Sequence, residues 1–214
     1  MSKFSEWTLI KLDKRFGIRQ IRRSEQLTSW LESPAEIGEL EQASLTRLKQ
    51  ILTHNVDNWN EQELSIHFIG PLLTLIDLSD EQDERFNIFA GRNLSGIVDG
   101  EEMSGNPDGM IASGWREPEI PYFCLQEYKR EKDPNGDPAG QCLAAMLVAQ
   151  TLNNHEHPIY GCYILGRNWF FILLHGTEYV ISNAYCATRN DIFDIFRILI
   201  TLKQQIKQFA YNDN

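Results

Sequence analysis

The sequence predicts an α/β fold, a central mixed β-sheet flanked by helices, and three features of its apolar pattern carry that expectation. From residue 34 to residue 52 apolar residues recur at three-and-four spacing, and from 85 to 129 at every second residue. One helix-period stretch after Gly136 and Pro138 then separates that strand run from a second one. The order is helices, three or four strands, a helix, further strands and a last helix, the pattern of an α/β or mixed α+β core around one sheet. At 214 residues the chain can build one sizeable core, whereas two independent domains would each be small. Residues 1–214 are therefore read as one domain, with 1–33 as an N-terminal extension, 60–175 as the core and 189–210 as a C-terminal helix.

Taken in order, residues 5–21 alternate over WTLIKL and FGIRQI, which suggests a short hairpin, and SEQLTSWLES reads as a brief helix capped by Ser24. From Pro34, suited to a first helical turn, Ile37, Leu40, Leu45, Leu48, Ile51 and Leu52 form the apolar side of an amphipathic helix. The next helix starts at an Asn60 cap and is apolar on nearly every side from Leu64 to Leu78, so it should be heavily buried. Pro71 should bend it, because the ring removes one backbone hydrogen bond. After the acidic turn DLSDEQDE, the segments RFNIFAGR, LSGIVDG, NPDGMIASG and YFCLQEYK read as successive strands, with Glu101 and Glu102 in a loop. In the helix AGQCLAAMLVAQTLNN, Ala144, Ala145 and Ala149 permit close packing against a sheet. Strand character returns in IYGCYILG, NWFFILLHG and EYVISNAY, with turns at Gly166-Arg167-Asn168 and Gly176-Thr177. The last helix gathers Ile192, Ile195, Phe196, Leu199, Leu202, Ile206 and Phe209 on one face.

Composition narrows the function classes. A hydrophobic content of 42% without low-complexity runs argues for a folded protein. No apolar stretch approaches the roughly 18 residues of a membrane span, and the N-terminus lacks a signal layout, so a cytoplasmic protein without membrane partners is expected. Cys124, Cys142, Cys162 and Cys186 form no C-x-x-C pair; each falls in an apolar segment and reads as a small buried hydrophobe in a reducing compartment. The formal charge of −10 counts against electrostatic coating of nucleic acid, but residues 11–23 hold six basic residues against Asp13. That stretch is +5, leaving −15 for the rest, and it is either an approach for a polyanion or a solvated basic face. Phosphate-loop, nucleophile-elbow and dinucleotide glycine patterns are absent from the sequence.

The informative stretch is PYFCLQEYKRE, residues 121–131, an apolar segment that ends in charge. Asn106-Pro107-Asp108-Gly109 precedes it, with 18 residues between Asp108 and Glu127, a distance suited to neighbouring strands. Alternation puts Phe123, Leu125, Glu127 and Lys129 on one face, the first two buried and the last two near Asp108. Two carboxylates and a lysine at the edge of an apolar sheet strain one another by desolvation and like charge, and a divalent cation relieves that strain. Mg²⁺ takes hard oxygen ligands and keeps several waters, so Asp108 and Glu127 can each offer an oxygen while Lys129 holds or deprotonates the attacking water. Read singly, each residue has an ordinary role, Asp108 as a turn residue before glycine and Glu127 and Lys129 as a solvated strand end. The argument rests on the set.

PDG followed by QEYK resembles the PD-(D/E)XK nuclease superfamily, with its restriction-endonuclease-like core of helix, three strands, helix and strand (α-β-β-β-α-β). The resemblance covers roughly residues 60–175, leaving an extra C-terminal hairpin and helix, and implies one nuclease-like domain over 1–214. It implies Asp108 and Glu127 as metal ligands, Lys129 as the water-positioning base, Glu63 as an added acidic metal ligand and Gln141 as an accessory glutamine. It further implies a hydrolase cleaving phosphodiester bonds, of DNA before RNA, with Mg²⁺ or in its place Mn²⁺ as cofactor. The absence of a target-reading segment points to a protein partner or a second copy that delivers the substrate. The competing expectation is a nuclease fold with weak or lost catalysis that binds nucleic acid or a protein.

Overall fold

The computed structural model describes the backbone of residues 1–78, 85–129 and 136–212, and their side chains apart from those of 125–129, 211 and 212. Strand β1 (Ser2–Lys3) and a 3-10 turn over Phe4–Glu6 lead into α1 (Leu9–Phe16), β2 (Arg19–Gln20), α2 (Glu25–Leu31) and α3 (Glu39–Asn55). Helix α4 (Glu61–Leu64), a π-helical turn over Ser65–Ile69 and α5 (Gly70–Ile76) run on as one helical segment. Strands β3 (Asn87–Ala90), β4 (Leu94–Val98), β5 (Glu101–Gly105), β6 (Gly109–Ala112) and β7 (Pro121–Lys129) come before α6 (Pro138–Leu152). Then follow β8 (Ile159–Leu165), β9 (Asn168–His175), β10 (Glu178–Ile181), β11 (Tyr185–Cys186) and α7 (Asp191–Asn212).

The main sheet is ordered β2-β10-β9-β8-β7-β6-β3, with β11 on β9. Strands β3, β6 and β7 pair antiparallel, and β7 pairs parallel with β8 because α6 carries the chain back across the sheet. Helices cover both faces, which makes the protein an α/β fold with a mixed sheet. One core gathers Trp30 of α2, Leu45 and Leu52 of α3, Phe68, and Phe196 and Leu199 of α7. The opposite core holds Leu12 and Phe16 of α1 and the inner side of α6. Helix α6 is buried nearly all round because β4 and β5 leave the main sheet as a hairpin, pair with β1 and cover its outer side.

Several local expectations change. Residues 9–16 form a helix where alternation suggested a hairpin: Leu12 and Phe16 are buried one turn apart, the Thr8 hydroxyl accepts from Lys11 N, and Gly17 closes the helix at φ 64°. Helix α3 begins at Glu39 behind Gly38, five residues later than Pro34 suggested. Glu101 and Glu102 lie in strand β5, since Asp99 and Gly100 both take positive φ and make the tight hairpin turn for which Asp-Gly is suited. Upstream of Pro71 the helix widens, with Gly70 N donating to the Ser65 carbonyl, and the wide turn absorbs a ring that would otherwise press on the His67 carbonyl.

The cysteines behave as small hydrophobes. Cys124, Cys142 and Cys162 are buried, and desolvation pushes the Cys124 thiol up to about 12, while Cys186 is half-buried beside Thr188. A thiol reagent at pH 8 should therefore modify one cysteine of the native protein quickly and all four after denaturation. Rapid native modification of two or more would contradict this packing.

Candidate active site

A cleft of about 770 Å³ opens where α4, β5, β6 and the start of α6 meet, and Asp108 is on its wall. Asp108 immediately precedes β6, half-buried behind the buried Pro107, and its carbonyl accepts from Gly91 N beyond the end of β3. The last β6–β7 pair is Gly109 with Leu125. Asp108 follows that pair by one residue on its strand and Glu127 by two, so their backbones meet at the same end of the sheet. A smaller recess, about 330 Å³, borders Asp108 and Ser65 on the α5 side, so Asp108 stands between two openings.

Strand β7 does not keep strict alternation to its end. Gln126 faces Tyr163 and Tyr128 faces Ile164, which leaves Glu127 as an extra residue in the pairing with β8. Such a bulge re-aims the local side chains and is a recurrent neighbour of active sites. Phe123 is buried as alternation requires. The side chains of Leu125, Glu127 and Lys129 lie outside the described residues.

Gln141 is 6% exposed in the first turn of α6, yet it borders the cleft, one of the few polar residues in an otherwise apolar helix. What positions it is a doubled cap. The Asp137 carboxylate accepts from Gly140 N at 3.0 Å and, with its other oxygen, from Leu9 N at 2.8 Å, fixing the starts of α6 and α1 together. The N-terminal segment thereby becomes a wall of the cleft, contributing Lys3 and Ser5, with the Phe4 ring laid directly on Gly105.

Glu63 is committed elsewhere. Its carboxylate accepts from Asn60 N while the Asn60 side chain accepts from Glu63 N, both at 2.8 Å, a capping box. The acid that this turn presents to the cleft is Glu61, with Gln62 and Ser65 beside it. Glu101 and Glu102 face away, toward Arg15 and the N-terminal amine.

Among the described residues no three His, Cys, Asp or Glu side chains converge as a metal site. The cleft's donors are oxygens, the carboxylates of Asp108 and Glu61, the Gln141 amide and the Ser65 hydroxyl, a set that suits Mg²⁺ or Mn²⁺ rather than a thiolate-loving ion. Among the described residues no helix is long and apolar enough to cross a membrane. No protein-family model matches this chain, and no curated protein is significantly similar to it in sequence.

Proposed function

We propose that the chain is a Mg²⁺-dependent nuclease that hydrolyses phosphodiester bonds, DNA being the first substrate to test, with Mn²⁺ able to replace Mg²⁺. The observation that carries the reading is the meeting of Asp108, Glu61 and Gln141 in one cleft at the end of the sheet where β7 brings Glu127 and Lys129 and breaks register at Glu127. The order of elements supports it too. A helical segment over 61–76, sheet strands β3, β6 and β7, helix α6 and strand β8 follow the α-β-β-β-α-β order of the PD-(D/E)XK resemblance, with the β4–β5 hairpin inserted and β9, β10 and α7 added. Openings on both sides of Asp108 suit a polymer that runs past the site rather than one that ends in it.

In this reading Asp108 and Glu127 hold the ion and Glu61 takes the place that sequence reasoning gave to Glu63, whose carboxylate already closes a cap. When bound, the metal supplies positive charge to the phosphoryl oxygens and lowers the pKa of a water. Lys129 would orient the attacking water and, in its neutral amine form, accept its proton, and Gln141 would steady the water or a phosphate oxygen by hydrogen bonding.

The ion can be tested without activity. At ten times its Kd, Mg²⁺ or Mn²⁺ should stabilise the wild type by about 1.4 kcal/mol, raising its melting temperature by about 3–6 °C. Asp108→Asn should lose most of that rise and Glu61→Gln part of it. Glu63→Gln should keep it while lowering the ion-free melting temperature through its weakened cap. An equal rise in wild type and Asp108→Asn would put the ion elsewhere.

A further inference from the structure

The basic stretch at residues 11–23, +5 in a chain of −10, is sorted by the fold into engaged and available charges. Lys11 donates to the Glu6 carbonyl, Arg15 pairs with Glu101 and Arg19 with Glu178. Arg22 and Arg23 are exposed and make no ion pair among the described residues. They line a recess of about 630 Å³ with Thr28, Ser29, Ser182 and Asn183, in which Glu25 is the one acid among the described residues.

The sheet register locates this recess relative to Asp108. Gly109 faces Leu125, Leu125 faces Cys162, Cys162 faces Phe171, and Ser182 N donates to the Phe171 carbonyl. One residue further along each strand, Asp108 and Asn183 stand at the same level of the sheet, just before β6 and just past β10. Four strand spacings at about 4.8 Å separate them by roughly 19 Å. In duplex DNA the phosphates of one strand advance about 3.4 Å along the helix axis per nucleotide, so that span corresponds to between five and six base pairs. Arginine is suited to the far end of such a span, since its planar fork matches two phosphate oxygens.

We propose that the Arg22–Arg23 recess is a second docking point for the substrate, gripping the sugar-phosphate backbone roughly 19 Å from the bond cleaved at Asp108, five to six base pairs along a duplex. The proposal rests on the nuclease reading and names the surface that lets an acidic protein hold a polyanion. Cleavage of end-labelled DNA oligonucleotides of 2 and 20 nucleotides by wild type and by the Arg22→Ala/Arg23→Ala double variant tests it. On the 20-mer the double variant should raise KM by about tenfold at unchanged kcat. The slope of log affinity against log salt should become less negative by about 1.4 for single strands and 1.8 for duplexes. On the 2-mer, too short to reach both points, the two proteins should agree. Equal KM on the 20-mer, or an equal rise on both lengths, would overturn the docking point while leaving the nuclease standing. Absence of cleavage and binding by the wild type on either oligonucleotide would overturn both.

Discussion

Gly140→Ala lowers the melting temperature by roughly 4–8 °C. An alanine in a helix interior is ordinarily about 0.5–1 kcal/mol better than glycine, so the simple expectation has the opposite sign. Here an added Cβ would lie 2.6 Å from Thr8 Cα and 2.8 Å from Leu9 N, and these are backbone atoms that cannot swing aside. Relief requires moving the start of α1 away from α6, against the Asp137 carboxylate that caps both. Overpacking of this kind costs about 1–3 kcal/mol, and contact with backbone belongs at the upper end, leaving a net loss of about 2 kcal/mol. At this chain length that is about 2–4 °C for each kcal/mol. Because the displaced segment carries Lys3 and Ser5 on the wall of the cleft, the variant should also bind substrate more weakly. Gly96→Ala is the control: its Cβ would meet the Val148 side chain, Cγ1 at 3.0 Å and Cβ at 4.0 Å, and no backbone atom of another segment, so its loss should be smaller. A Gly140→Ala protein as stable as wild type would contradict the packing of α1 on α6.

Lys129→Ala should reduce metal-dependent cleavage by about 10²–10⁴-fold while leaving the metal-induced rise in melting temperature in place. The substitution removes the group assigned to orient and deprotonate water but keeps both carboxylates, so chemistry and ion binding should separate. The loss corresponds to about 2.7–5.4 kcal/mol of transition-state stabilisation. Kinetics should place it in kcat rather than KM, since the role proposed for Lys129 is on the attacking water rather than on the bound strand. Gln141→Ala, which removes a supporting hydrogen bond, should cost less than Lys129→Ala. Loss of metal binding together with activity in Lys129→Ala would assign the lysine a structural role.

The elements that were legible from sequence are those whose burial is one-sided or complete. The Asn60 and Ser24 caps, the alternation of β7 up to Phe123, the helix of α6 and the face of α7 all follow from local pattern. Where reading failed, a stronger local signal competed with the one that was followed. In residues 9–16 the buried pair Leu12 and Phe16 with a Gly17 cap outweighed apparent alternation. At Asp99-Gly100 the turn chemistry announced strand β5, but the acids after it read as loop. Asp108, Glu127, Lys129 and Gln141 group by motif, and the capping role of the Glu63 carboxylate is legible too, because Asn60 three residues before Glu63 is a capping-box signature. Lys3 and the Arg22–Arg23 recess could not be found that way. Their places depend on β1 pairing with β5 and β2 with β10, across about 100 and 160 residues of chain, which no local pattern encodes.

The central claim is that Asp108 belongs to a metal-dependent phosphodiesterase site, and the most direct measurement is cleavage of labelled single- and double-stranded DNA and RNA by wild type and Asp108→Asn, purified identically. At low salt with Mg²⁺ or Mn²⁺, wild type should cleave at least one of these substrates, chelation should stop it, and Asp108→Asn should be inactive at equal folded concentration. Cleavage by neither protein, with or without a candidate partner present, or equal cleavage by both, would contradict it.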